Sequence, residues 1–131
     1  MSDSTQIDQI KTWIVDSFTA FCDPTRIDEF YACFAPEFTN FYLRHDLLIE
    51  GWMSKEQLQA MYDGGLNPNL QIRHLTIQRY EGCVVYTCYL AGTVTDTSGN
   101  TATGPWRFSA TAVPYGDSWQ IVHNHWSKLE A

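Results

Sequence analysis

The sequence predicts an α+β fold, with two or three N-terminal helices packed in a strongly curved, mostly antiparallel mixed sheet. Three observations carry that expectation. Apolar residues recur at three- and four-residue steps as far as Phe34, the signature of helical stripes. From Phe38 onward the dominant period is two, which is strand patterning. Neither face of the last strand is plainly solvent-exposed, so something must cover both of its sides. At 131 residues the chain reads as a single domain over 1–131, burying about two thirds of its unfolded surface. Seven Phe, seven Tyr and five Trp supply a real core and argue against disorder.

The first helix is expected from about Ser4 to Cys22, with Ile7, Ile10, Ile14, Phe18 and Phe21 in one stripe that Trp13 widens. Asp23-Pro24 ends it and starts another, because aspartate caps and proline fits a first helical turn. The second helix is expected over Pro24 to Phe34, with Ile27, Phe30, Tyr31 and Phe34 on one side and Pro36 ending it. Phe38 to His45 then reads as a strand. Phe38, Asn40, Tyr42 and Arg44 share one of its faces; Thr39, Phe41, Leu43 and His45 share the other. After a connector at Asp46 to Gly51, Ser54-Lys55-Glu56-Gln57 is a capping box opening a short helix with Leu58, Met61 and Tyr62. That helix stops at Asp63-Gly64-Gly65.

Strands are expected at Leu70–Tyr80, Cys83–Thr95 and Thr103–Val113, with a turn at Asp96 to Asn100. The apolar parity of the first slips between Ile72 and Leu75, which predicts a bulge near Arg73-His74. Trp106, Phe108, Ala110 and Ala112 share a face of the third. A Gly116-Asp117 turn leads into the last strand. Alternation there puts Trp119, Ile121, His123, His125 and Ser127 on one face and Gln120, Val122, Asn124 and Trp126 on the other. The order is ααβαββββ, and a sheet curved by bulges can leave a pocket against the helices.

Net charge is −7 with only eight Lys and Arg, the wrong sign for a nucleic-acid partner or an anionic membrane surface. No apolar run approaches the length of about 18 residues needed to cross a bilayer. The N-terminus carries no basic and apolar leader pattern, so a cytoplasmic protein is expected. Cys22, Cys33, Cys83 and Cys88 form no Cys-x-x-Cys pair and read as reduced, mostly buried thiols.

His123 and His125 lie about 7 Å apart on one strand face. Three readings fit them: two ligands of a zinc completed by His45, His74 or a carboxylate, a hydrogen-bonded pair at a sheet-to-sheet interface, or acid–base groups. The interface reading is favoured, and neither a metal nor a cofactor is expected. Arg44 is expected at an exposed strand end, with a carboxylate ligand as the alternative. Asp46, Glu50 and Asp63 read as solvated, and Trp52 as packing over a pocket mouth.

The element order, the Gly-x-x-Trp-x-Ile-Val-His-x-His-x-Ser ending at Gly116–Ser127, Asp23-Pro24, and Phe34-Ala35-Pro36-Glu37-Phe38 together resemble the NTF2-like superfamily. Within it, the chain is most similar to the SnoaL-like, ketosteroid-isomerase-like group of cone-shaped domains. The resemblance implies that Asn124 and Trp126 look into the cone, which requires a bulge in the final hairpin. Laid on without gaps, the isomerase base falls on Tyr42 and its helix donor on Phe18. The second acid falls near Ala110 or Thr111. Phenylalanine donates no hydrogen bond and a phenol is a poor base, so steroid-type isomerisation is not expected. What is expected is binding of a small apolar or aromatic molecule by Tyr42, Trp52, Phe108, Asn124 and Trp126. Any chemistry there is expected to be non-steroid acid–base work of the isomerase, dehydratase or cyclase type, and whether the domain is an enzyme stays open. His123 and His125 take that place if the other face is inward. The rival expectation is a non-catalytic dimerisation or assembly domain, like the association domain of calmodulin-dependent kinase II. A homodimer through the outer face of the sheet is expected in either case.

Overall fold

The structure, a computed structural model, describes residues 3–42, 49–50 and 53–128, without the side chains of 3–5 and 49–50. Helix α1 spans Asp3–Phe21, and its stripe of Ile10, Ile14, Phe18 and Phe21 is buried. Asp23 caps a short 3-10 turn, Pro24–Arg26, by accepting from the Thr25 amide, and α2 (Ile27–Tyr31) follows. Strand β1 is Phe34–Phe41 and β2 Ile49–Glu50; α3 is Lys55–Asp63. The strands β3 (Asn67–Tyr80), β4 (Cys83–Thr95), β5 (Thr101–Thr103), β6 (Trp106–Tyr115) and β7 (Ser118–Lys128) complete the chain. One sheet holds all seven strands in the order β2-β1-β7-β6-β4-β3, with β5 on β4. It is antiparallel except for β1 beside β7.

The second helix is shorter than the periodicity predicts. Phe34 is already in β1, opposite Ile121, and the Cys33 carbonyl accepts from the Ile121 amide at 2.7 Å. Pro36 therefore lies inside a strand rather than ending a helix. It sits where the β1–β7 register shifts between Phe34 and Thr39, a place where a missing N–H breaks no ladder bond. Phe34 still touches Phe30 at 5.0 Å between ring centroids, which explains its helical look. The strand expected to reach His45 ends at Phe41; Leu43, Arg44, His45 and Asp46 lie outside the described residues.

Besides the β1–β7 shift, two further register shifts interrupt the described sheet. In β3 the register shifts between Arg73 and Thr76, and His74 takes φ 55°, as the parity slip predicts. In the last hairpin Thr111 faces His123 while Ala112 faces Ile121, so Val122 is the extra residue. That insertion switches parity. Ile121, Asn124 and Trp126 thereby come to one side, and all three are buried. Phe108 pairs with Trp126 and Ala110 with Asn124 across β6 and β7, giving a continuous inner wall that faces α1.

The capping box at Ser54 is complete: its hydroxyl accepts from the Gln57 amide at 3.1 Å and its own amide donates to Gln57 Oε1 at 2.8 Å. The α3 helix so started buries Leu58 and Tyr62 in the core. The Tyr62 hydroxyl donates to the Phe21 carbonyl, which ties α3 to the end of α1.

Candidate functional site

Between α1 and the concave face of the sheet lies a small cavity. Ser17, Phe18 and Phe21 of α1 form one wall, and Phe30 and Phe34 close its floor. Tyr86 of β4, Phe108 of β6, and Ile121, Asn124 and Trp126 of β7 form the opposite wall, with Tyr42 just past β1. The cavity volume is ≈ 40 Å³, room for about three waters. The rings interlock edge to face. Phe18 meets Phe108 at 5.0 Å, Tyr42 meets Trp126 at 5.7 Å, and Trp106 backs Trp126 at 5.8 Å.

Two polar atoms among these rings stand out. Tyr86 Oη and Trp126 Nε1 are buried without a hydrogen-bond partner, in a molecule where such groups are normally satisfied. Asn124 adds an amide, able to donate and accept. The Ser17 hydroxyl is engaged, donating to the Ile14 carbonyl at 2.6 Å. Burial, with smaller contributions from nearby Cys88 and Cys33, pushes the Tyr86 phenol far above its ordinary value. It stays protonated, a donor without an acceptor. Burial likewise raises the Cys33 thiol to about 11 and Cys88 to about 12, so neither is a ready nucleophile. No described residue lining the cavity is a carboxylate, imidazole or amine. The described lining offers donors inside an aromatic box.

Four of the five residues singled out from the sequence, Tyr42, Phe108, Asn124 and Trp126, meet at this cavity. Trp52 lies outside the described residues, as does the side chain of Glu50; Asp63 is exposed. Phe18 occupies the wall where the resemblance puts a helix donor, and it has no proton to give. Ala110 is buried opposite Asn124, while Thr111 faces His123. The histidine pair sits on the outer face: His123 Nδ1 is 2.9 Å from Thr39 Oγ1, and Phe41 packs on both rings at 5.8 and 5.3 Å. Among the described residues no group of three His, Cys, Asp or Glu is placed to hold a metal. Like Ser17, Tyr86 is a wall residue that sequence reasoning misses. Its signal is the alternation of Val84, Tyr86, Cys88 and Leu90 on the buried face of β4.

A curved mixed sheet closed by helices over an aromatic hollow defines a cone-shaped domain of the NTF2-like superfamily. The family follows from the sequence itself: the SnoaL-like domain model matches residues 13–130, and the chain belongs to that family. No curated protein matches it. Solved structures with the same fold include an NTF2-like protein from Cytophaga hutchinsonii (TM-score 0.71, 11% identity, 98% of this chain and 100% of that one). A ketosteroid isomerase-like protein from Erwinia carotovora atroseptica is similar (TM-score 0.69, 15% identity, 95% and 96%). So is the association domain of C. elegans CaMKII (TM-score 0.74, 18% identity, 96% and 98%). At these identities the likeness concerns fold alone. Among the described residues no helix is long and apolar enough to cross a membrane.

Proposed function

We propose that this domain binds a small, flat, apolar or aromatic molecule that carries one hydrogen-bond acceptor, such as a carbonyl, in its cone. The observation carrying this reading is the pair of orphaned donors, Tyr86 Oη and Trp126 Nε1, in one aromatic wall. A buried unpaired polar group costs about 1–3 kcal/mol, and a bound acceptor would offset that. The present space of ≈ 40 Å³ is well below the ~300–1,000 Å³ of typical ligand pockets. Entry therefore displaces wall side chains, Tyr42 first, since it is half-buried just past β1. Any isomerase- or dehydratase-type step here rests on polarising a carbonyl by donors, with the base coming from outside the described wall. The four free cysteines support a reducing, cytoplasmic setting.

The test pairs 1-indanone with indane, which has the same ring system without the carbonyl, each titrated by tryptophan fluorescence. Indanone is expected to bind and indane to bind about tenfold more weakly, the worth of one hydrogen bond. Tyr86→Phe is expected to raise the melting point of the free protein, by about 1 kcal/mol of stability, while weakening indanone about tenfold. Equal binding of the two probes, or a Tyr86→Phe protein that is less stable and binds indanone unchanged, would sink the reading.

A second reading, assembly as a homodimer through the outer face of the sheet, has its own support. Phe41 leaves 37% of its surface exposed there, beside His123 and His125, and apolar rings at the centre of a patch are what stable interfaces bury. Light scattering is expected to give twice the chain mass, and Phe41→Asp a monomer that still binds indanone. A wild-type monomer at micromolar concentration excludes this reading and leaves the cone untouched.

A further inference from the structure

The face of the sheet turned away from the cone carries a larger hollow, a groove of ≈ 650 Å³ between β3, β4, β6 and β7. Strand register builds it in two rows. Tyr89 pairs with Arg107 and Arg107 with Ser127; one step along, Thr87 pairs with Ser109 and Ser109 with His125. Side chains so paired stand about 5 Å apart on one face. The bulge in β3 adds His74, whose ring meets Tyr89 edge-on at 6.0 Å. His74 reaches that position with φ 55°, a left-handed conformation that is costly for a residue with a side chain and recurs at functional sites.

The groove's chemistry runs against that of the chain. Asp and Glu number 15 in the sequence, for a net charge of −7, yet none of the described lining residues is acidic. The one permanent charge among them is Arg107. Its Nη2 donates to the Lys128 carbonyl at 3.2 Å, which steadies the guanidinium over β7 and leaves most of its donors for other partners. Around it stand two imidazoles, a phenol and four aliphatic hydroxyls. Tyr89, 40% exposed, offers a flat ring surface at the β3 side.

We propose that this groove is a second binding site, separate from the cone, for a small organic oxyanion. A phosphate or carboxylate sits on the Arg107 fork with hydroxyl and imidazole donors completing its shell, and the organic body lies along Tyr89 and His74. Guanidinium suits such anions because its donors match two oxygens at once.

The test is calorimetric titration of the whole chain with phenyl phosphate, benzoate and, as a control of opposite charge, benzylamine. At least one of the two anions is expected to bind saturably and benzylamine not to bind; the stronger anion identifies the headgroup. Arg107→Gln is expected to weaken the anion about tenfold or more, since hydrogen bonds to a charged group are the strong ones. Arg107→Lys is expected to restore part of the loss. Arg79→Gln, which removes the same charge outside the groove, is expected to leave it within about twofold. The proposal is overturned if no anion binds, whether for want of affinity or because a second copy of the chain covers the groove. Equal losses in Arg107→Gln and Arg79→Gln, which would mean a diffuse charge effect, overturn it as well.

Discussion

Gly92→Ala is expected to cost about 3 kcal/mol or more and to disrupt the β3–β4 ladder. Two separate obstacles meet at this residue. Its φ is +117°, outside the range an alanine accepts readily. A Cβ placed there would also lie 2.0 Å from the Asn69 carbonyl oxygen and 3.3 Å from Leu70 Cα. Those are backbone atoms of the paired strand, with Leu70 directly opposite Gly92, so no rotamer change relieves the overlap. The position matters for shape as well. At Leu90 strand β4 still pairs with β6, and by Thr93 it pairs with β5. Gly92 is the joint between those partners, and its carbonyl accepts from the Gly104 amide at 2.9 Å. Gly99→Ala is the internal comparison, because φ there is +86° but nothing lies within 4 Å; it is expected to cost only about 1 kcal/mol. Urea unfolding of both variants measures the contrast. Equal losses would mean that strain alone, without crowding, governs Gly92.

How far the fold can be read from residues depends on whether each signal is local. The α1 stripe, the Ser54 capping box and the parity slip at Arg73-His74 involve neighbours in sequence, and each appears where the pattern places it. The limits of α2 do not, because Phe34 continues an apolar spacing while its backbone obeys a partner nearly ninety residues away, Ile121. Helical periodicity reports which residues want burial and is silent about which strand will cover them. The Val122 bulge is a similar case. Alternation alone places Ile121 opposite Asn124 and Trp126, and only the likeness to cone-shaped domains requires an insertion that brings all three to one side. At the cavity, Trp126 and Asn124 are conspicuous as an amphipathic and a polar group sharing one face of the last strand. Tyr86 is not, since a tyrosine in an alternating strand looks like ordinary core. Its importance lies in a hydroxyl without a partner, a property no sequence displays.

The second large effect belongs to Trp126. It is 7% exposed and wedged among Tyr42, Trp106 and Phe108 at 5.7, 5.8 and 6.4 Å. Its indole nitrogen has no partner, so Trp126→Ala removes packing without orphaning a hydrogen bond. The expected loss is about 3–5 kcal/mol, in the range for a large aromatic side chain taken from a core. Rescue by a ligand distinguishes a pocket wall from solid core. The space vacated joins the existing ≈ 40 Å³ cavity, and a hollow walled largely by aromatic rings accepts a matching ring. Free indole is therefore expected to bind the variant and, at about 100 times its Kd, to return about 2.7 kcal/mol of stability by mass action. Trp106→Ala is the control: Trp106 is as well buried, at 3% exposed, but lies behind Trp126 and off the cavity lining. It should lose comparable stability and gain little from indole. Thermal unfolding with and without indole reads both. If Tyr42 instead swings into the hole, Trp126→Ala will lose less than about 3 kcal/mol and ignore indole; that result would make the cone a collapsible core and remove the basis for ligand entry at its mouth.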